Sequence, residues 1–139
     1  MSLENVEIVR AAIDGFNRRD WDSALKDVAP ELQVDNSRTA RPKPGVYGLD
    51  QVRAYWDEVT NIWESWRIEP HELIESGEHV VVPWTFHAQG RDGLEVEARV
   101  TWTFTIRDGA IERVCMNQER QEALEAAGLR EPADERRSP

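Results

Sequence analysis

Between two copies of the tripeptide Arg-Asp-Gly, at 91–93 and 107–109, the chain alternates without interruption. Leu94, Val96, Ala98, Val100, Trp102, Phe104 and Ile106 are apolar, while Glu95, Glu97, Arg99, Thr101, Thr103 and Thr105 are polar. A period of two sustained over this length marks a half-buried β-strand, and the polar, glycine-ended tripeptides at its ends read as hairpin loops. Hairpin geometry fixes which residues of adjacent strands share a face, so this run constrains what can line the interior.

A three-residue loop built as a type I turn plus a left-handed glycine suits Arg-Asp-Gly. At the first loop it sets Phe86 beside Ala98, Trp84 beside Val100, Val82 beside Trp102 and Val80 beside Phe104, apolar against apolar throughout. A two-residue loop would set Trp84 against Arg99 and Phe86 against Glu97. Burying a large apolar side chain is worth about 1.5–3 kcal/mol, which favours the first register. The same loop type at 107–109 sets Val114 beside Trp102, Met116 beside Val100 and Gln118 beside Ala98. The opposite face carries Thr85, His87 and Gln89 against Arg99, Glu97 and Glu95, with His87–Glu97 as a surface ion pair.

Upstream, Val6, Val9, Ile13 and Phe16 have helical spacing and predict an amphipathic helix over 4–18. Asp20 or Asp22 can cap a short second helix that runs to Val28 and is stopped by Pro30. Leu32–Ser37 reads as a strand with Leu32, Val34 and Asn36 on one face, and Thr39–Gly48 as a loop. A helix capped by Asp50 extends to about Trp66 on a stripe of Val52, Trp56, Val59, Trp63 and Trp66. Strands follow over Arg67–Glu75, His79–Gln89, 94–106 and 110–118. Pro83 lacks an amide hydrogen and predicts a bulge or a strand edge. A last helix spans Glu119–Ala127, with Gly128 as its cap and a charged, disordered tail at 130–139.

Helices first and strands later make an α+β chain, a curved antiparallel sheet wrapped around the N-terminal helices. Its 139 residues form one domain, 1–129, followed by the tail. A net charge of −10 repels phosphate backbones, so nucleic acid is excluded as a partner. No apolar stretch is long enough for a membrane span, and the N-terminus reads as a helix rather than a signal peptide. The single cysteine, Cys115, rules out an internal disulfide and fits a reducing cytoplasm. His71, His79 and His87 are too scattered for a metal site, and neither a phosphate loop nor a serine-nucleophile motif occurs, so no cofactor is expected.

The stretches Phe16-Asn17-Arg18-Arg19-Asp20-Trp21, Ala29-Pro30-Glu31-Leu32, Gly45-Val46-Tyr47-Gly48-Leu49-Asp50, Arg107-Asp108-Gly109 with Ile111, Ala123-Leu124 and Gly128-Leu129 resemble the SnoaL-like polyketide cyclases of the nuclear-transport-factor-2-like superfamily. The resemblance covers about 4–129. It implies a cone-shaped α+β barrel, usually dimeric through its sheet, with a cavity between sheet and helices. It does not assign chemistry, since relatives include isomerases, epoxide hydrolases, dehydratases, cyclases and binders. The ketosteroid isomerase positions for the oxyanion tyrosine, the base and the protonated aspartate fall on Ala12, Asn36 and the neighbourhood of Trp102. Limonene-epoxide hydrolases place an asparagine where Asn36 stands, but their acid-base set falls on Pro83–Thr85 and Met116. The acid of SnoaL-type cyclases falls on Met116 or Gln118, with Glu119 the nearest carboxylate.

The inferred cavity is therefore apolar and aromatic, lined by Val34, Asn36, Trp56, Trp63, Val82, Trp84, Val100, Trp102, Val114, Met116 and Gln118. The same tryptophans could instead fill the cone. A slip of one residue in the first strand would turn Asp35 inward in place of Asn36. Two functions follow. One is a cyclase- or isomerase-like protein acting on an apolar, polycyclic ligand, with Asp35 and Glu119 as catalytic candidates. The other is a non-catalytic homodimeric binding domain, paired through Arg99, Thr101 and Thr103.

Overall fold

A computed structural model describes residues 2–36 and 45–117. Helix α1 (Ser2–Asn17) and the single turn α2 (Trp21–Ala24) precede strands β1 (Val28–Asp35) and β2 (Val46–Gly48). Helix α3 (Leu49–Thr60) leads into β3 (Trp63–Pro70), β4 (Ile74–Ser76), β5 (His79–Gly90), β6 (Glu95–Arg107) and β7 (Ala110–Asn117). The strands form one curved sheet in the order β2-β1-β7-β6-β5-β3, with β4 continuing the pairing along β5. The sheet is mixed, because β1 runs parallel to β7, and it is not closed into a barrel. Alternation along a strand dictates its two faces but not the direction of a neighbour distant in sequence, and here a parallel neighbour won.

The β5–β6 hairpin has the expected register, including Trp84↔Val100 and Val82↔Trp102. Its loop is closed by the Gly90 amide donating to Leu94 O at 2.7 Å, with Gly93 at φ +87°. The second hairpin differs. Its loop is the two residues Asp108 and Gly109, at φ +51° and +76°, the twist that antiparallel strands prefer. Arg107 pairs with Ala110, and a bulge between Thr105 and Ile106 shifts the register once more. Met116 therefore lies beside Trp102, and Val114 beside Phe104. Loop and bulge each move the pairing by one, so the inward parity of Val114 and Met116 survives.

The long helix is shorter than expected. It begins at Gly48, whose amide donates to Gln51 Oε1, so Asp50 sits in the first turn rather than at the cap. It ends at Thr60, and Trp63 and Trp66 belong to β3. A 3–4 spacing over three residues also fits a strand with one irregularity, and β3 has one between Trp63 and Ser65. Pairing Trp66 with Ala88 and Ile68 with Phe86 satisfies the outer edge of β5, which a longer helix would leave bare. Strand β1 starts earlier than expected, and an irregularity between Val28 and Gln33 accommodates Pro30. Pro83 accepts from the His71 amide at 2.9 Å, so its missing N–H faces the gap between β3 and β4, a local edge.

Helix α1 buries Val9, Ile13 and Phe16 on the inner face of the sheet against Trp66, Ile68, Trp84, Trp102 and Phe104. Its end is pinned to β3 by Asn17, whose Nδ2 donates to Ile68 O at 2.9 Å while Oδ1 accepts from the Ile68 amide at 2.7 Å. A β-carbon on Gly15 would meet Ala24 N at 2.6 Å, so the close approach of α1 and α2 depends on glycine there. On the outer face Thr101 and Thr103 are already buried within the single chain, at 2% and 7% exposure. Of the three residues expected at a sheet-to-sheet contact, only Arg99 is exposed.

Candidate functional site

Asn36 directly follows β1 and is buried, 2% exposed, with its Nδ2 donating to Tyr55 Oη at 2.9 Å. Tyr55 comes from α3, where it lies one residue from Trp56 and stacks on Tyr47 at 4.0 Å between centroids. Asp35, the catalytic candidate that a slip would turn inward, faces the other way. Its carboxylate accepts from Arg113 Nη2 at 2.6 Å on the outer face. The apolar parity of Leu32 and Val34 decided this, since both are buried in the core and alternation sends Asp35 outward.

Phe16 organises the interior. Its ring lies 5.2 Å from Trp21, 5.0 Å from Trp56, 5.1 Å from Trp66 and 5.6 Å from Trp102, tilted or edge-on in each pair. Trp84 packs on Trp102 at 4.5 Å. Around these rings lie two cavities of about 30 and 20 Å³. Each has room for roughly one water molecule, so in this conformation the tryptophans nearly fill the cone. Phe16, Val34, Trp56, Trp102 and Val114 line both cavities, and the three rings among them stand as a partition between the two.

The second cavity gathers Val34, Asn36, Trp56, Trp84, Trp102, Val114 and Met116 of the expected lining. Trp63, Val82 and Val100 line neither: the two valines are packed in the core, and Trp63 stands at the start of β3, 5.8 Å from Phe86. Gln118 and Glu119 lie outside the described residues. Phe16, Tyr55, Thr60, Ile68 and Phe86 complete the lining and were missing from the sequence reading. Tyr55 was recoverable: 52, 55, 56 and 59 are a helical stripe, which places its hydroxyl on the inner side of α3.

The larger depressions, about 370 and 530 Å³, are open clefts on the surface. The first is flanked by His87, whose Nε2 lies 2.7 Å from Glu69 Oε1 and Nδ1 3.4 Å from Glu97 Oε2. The expected His87–Glu97 pair thus has Glu69 as a second carboxylate, and the hydrogen bond from His87 holds the Glu69 carboxyl below the usual glutamate range. His71 and His79 bond Thr85 and Thr105 instead. Among the described residues no three histidine, cysteine or acidic side chains gather as metal ligands, and no helix is long and apolar enough to cross a membrane.

No protein of curated function matches the sequence. Solved structures do. TerC, co-crystallised with polyporic acid, is similar at a TM-score of 0.74 and 23% identity, over 90% of this chain and 98% of that one. An NTF2-like protein of unknown function from Burkholderia pseudomallei is similar at 0.73 and 24%, over 88% and 95%. A candidate SnoaL-like polyketide cyclase from Jannaschia sp. CCS1 is similar at 0.71 and 16%, over 83% and 85%. At these identities the likeness is one of fold. The family model of the SnoaL-like domain matches residues 9–114, most of the described sheet and all three helices in whole or part, and the chain belongs to the SnoaL-like domain family.

Proposed function

We propose that this chain binds a flat, apolar small molecule between α1, α3 and the inner face of the sheet. The observation that carries the reading is the lining itself. Four aromatic rings from four different elements, Phe16, Trp56, Trp84 and Trp102, converge on one buried point, with the Asn36–Tyr55 pair beside them. Apolar walls with a few convergent polar groups are the composition of small-molecule sites. Ligand entry requires the Phe16–Trp56–Trp102 partition to move, which would join the two cavities. Trp56 is the ring best placed to do so, since it is half-buried and stands against the similarly half-buried Trp21 at 5.3 Å.

Cyclisation or isomerisation of such a ligand is the finer form of this reading. It needs proton transfer at the bound oxygen. Tyr55 carries the only titratable side chain among the described lining residues, and its phenol keeps a proton to donate while accepting from Asn36. On this reading Asp35 takes no part, its carboxylate being paired outward with Arg113.

The test is a tryptophan-fluorescence titration with flat polycyclic ketones and phenols, repeated on Ala12→Leu, which fills the cavity wall without altering a ring. Saturable quenching by one class, weakened in the variant, supports the reading. Absence of a saturable response across the panel refutes it.

A further inference from the structure

The two cavities differ in polarity. Beneath α1 and α2 the wall is hydrocarbon, with Ala12, Leu25, Val28, Phe104 and Ile111 among its members. The other cavity is lined by Asn36, Tyr55, Thr60 and Trp84 alongside its apolar residues. Thr60 Oγ1 donates to Trp56 O at 2.6 Å, and Asn36 bonds Tyr55. Trp84 differs. It is 1% exposed, and among the described residues its Nε1 has no hydrogen-bond partner.

Buried polar groups are almost always paired, because an unmatched donor has lost its water and gained nothing. Indole can only donate, so the missing partner is an acceptor. No cationic side chain lines either cavity among the described residues, so an anionic acceptor would be desolvated without compensation. A neutral oxygen fits. A single water fits the space of about 20 Å³, where Asn36, Tyr55 and Thr60 offer it further polar partners, and a ligand's carbonyl oxygen entering there would take its place.

We propose that Trp84 Nε1 selects the ligand: it donates to a neutral acceptor oxygen, a ketone or quinone carbonyl, while the ligand's hydrocarbon rings point toward α1 and α2. The inference rests on the binding reading above and adds an orientation and a chemical class to it.

The experiment uses 15N-labelled protein, whose six tryptophans give six indole N–H signals, with that of Trp84 identified by its loss in Trp84→Phe. The probes are indane and 1-indanone, the same bicyclic skeleton without and with one carbonyl oxygen. The Trp84 signal should move downfield with 1-indanone and not with indane. The ratio of affinities, ketone over hydrocarbon, should fall roughly three- to tenfold in Trp84→Phe, the worth of one net hydrogen bond. If both probes bind, the ratio is unchanged in the variant and the signal moves alike with both, the inference is overturned and the cavity reading stands. If neither binds, the cavity reading fails and this inference falls with it. Should Trp84→Phe not fold, the wild-type response decides: movement with the ketone alone supports the assignment, equal movement overturns it.

Discussion

Phe16→Ala tests the packing argument most directly. Phe16 is 6% exposed and touches rings carried by α2, α3, β3 and β6. Truncation of a buried phenylalanine costs about 3–5 kcal/mol, from lost transfer energy and the hole left behind. Here the hole cannot close easily. The four surrounding tryptophans belong to separate elements, each anchored elsewhere, and Phe16 borders both existing cavities, so its loss joins them. A value in the upper half of that range is expected, about 4 kcal/mol. In urea, with a slope near 2 kcal/mol per molar for a domain of this size, the unfolding midpoint should fall by about 2 M at unchanged slope. Tryptophan fluorescence and far-ultraviolet circular dichroism should report the same transition. The enlarged apolar hole should stay dry and take up benzene, raising the midpoint with ligand concentration. A fall below about 0.5 M, or no response to benzene, would show that the rings repack freely and that the partition is not a rigid feature.

Tyr55→Phe takes away the acceptor of Asn36 Nδ2 at a buried site and should cost about 1–3 kcal/mol, read as a lowered thermal midpoint with the Tyr47 stack retained. Asp35→Asn weakens a pair whose arginine is 44% exposed but whose carboxylate is only 9% exposed, so the loss should be about 1–3 kcal/mol, and an apolar probe should bind as it does to the wild type. Weakened probe binding there would mean that the outer face is part of the site. Glu69 titrates below the ordinary glutamate value because His87 bonds its charged form. A depressed folded value contributes stability above the unfolded pKa that is lost as pH falls through the folded one. In His87→Gln, a carboxyl-carbon NMR titration should find Glu69 titrating closer to the ordinary value; an unmoved titration would mean that His87 is not the cause.

The alternating run between the two Arg-Asp-Gly copies carried much of the fold. It determined β6 and the register of β5, because apolar burial along a period of two leaves one good match across a three-residue loop. It also determined that Trp84, Trp102, Val114 and Met116 point inward, and the parity of Leu32 and Val34 did the same for Asn36. Periodicity is a local property of the chain, and local properties can be read locally. What the tertiary structure decided was of another kind. The second Arg-Asp-Gly forms a two-residue turn with a bulge, although its sequence matches the first. Trp63 and Trp66 became strand residues because the edge of β5 needed a partner, and β1 lies parallel to β7, a pairing between segments more than 70 residues apart. Whether the tryptophans enclose space or occupy it was likewise a matter of packing. Phe16 reaches rings on four elements, and the cavities that remain are only as large as those contacts leave them. Volume is a property of many distant side chains at once, and no stretch of sequence contains it.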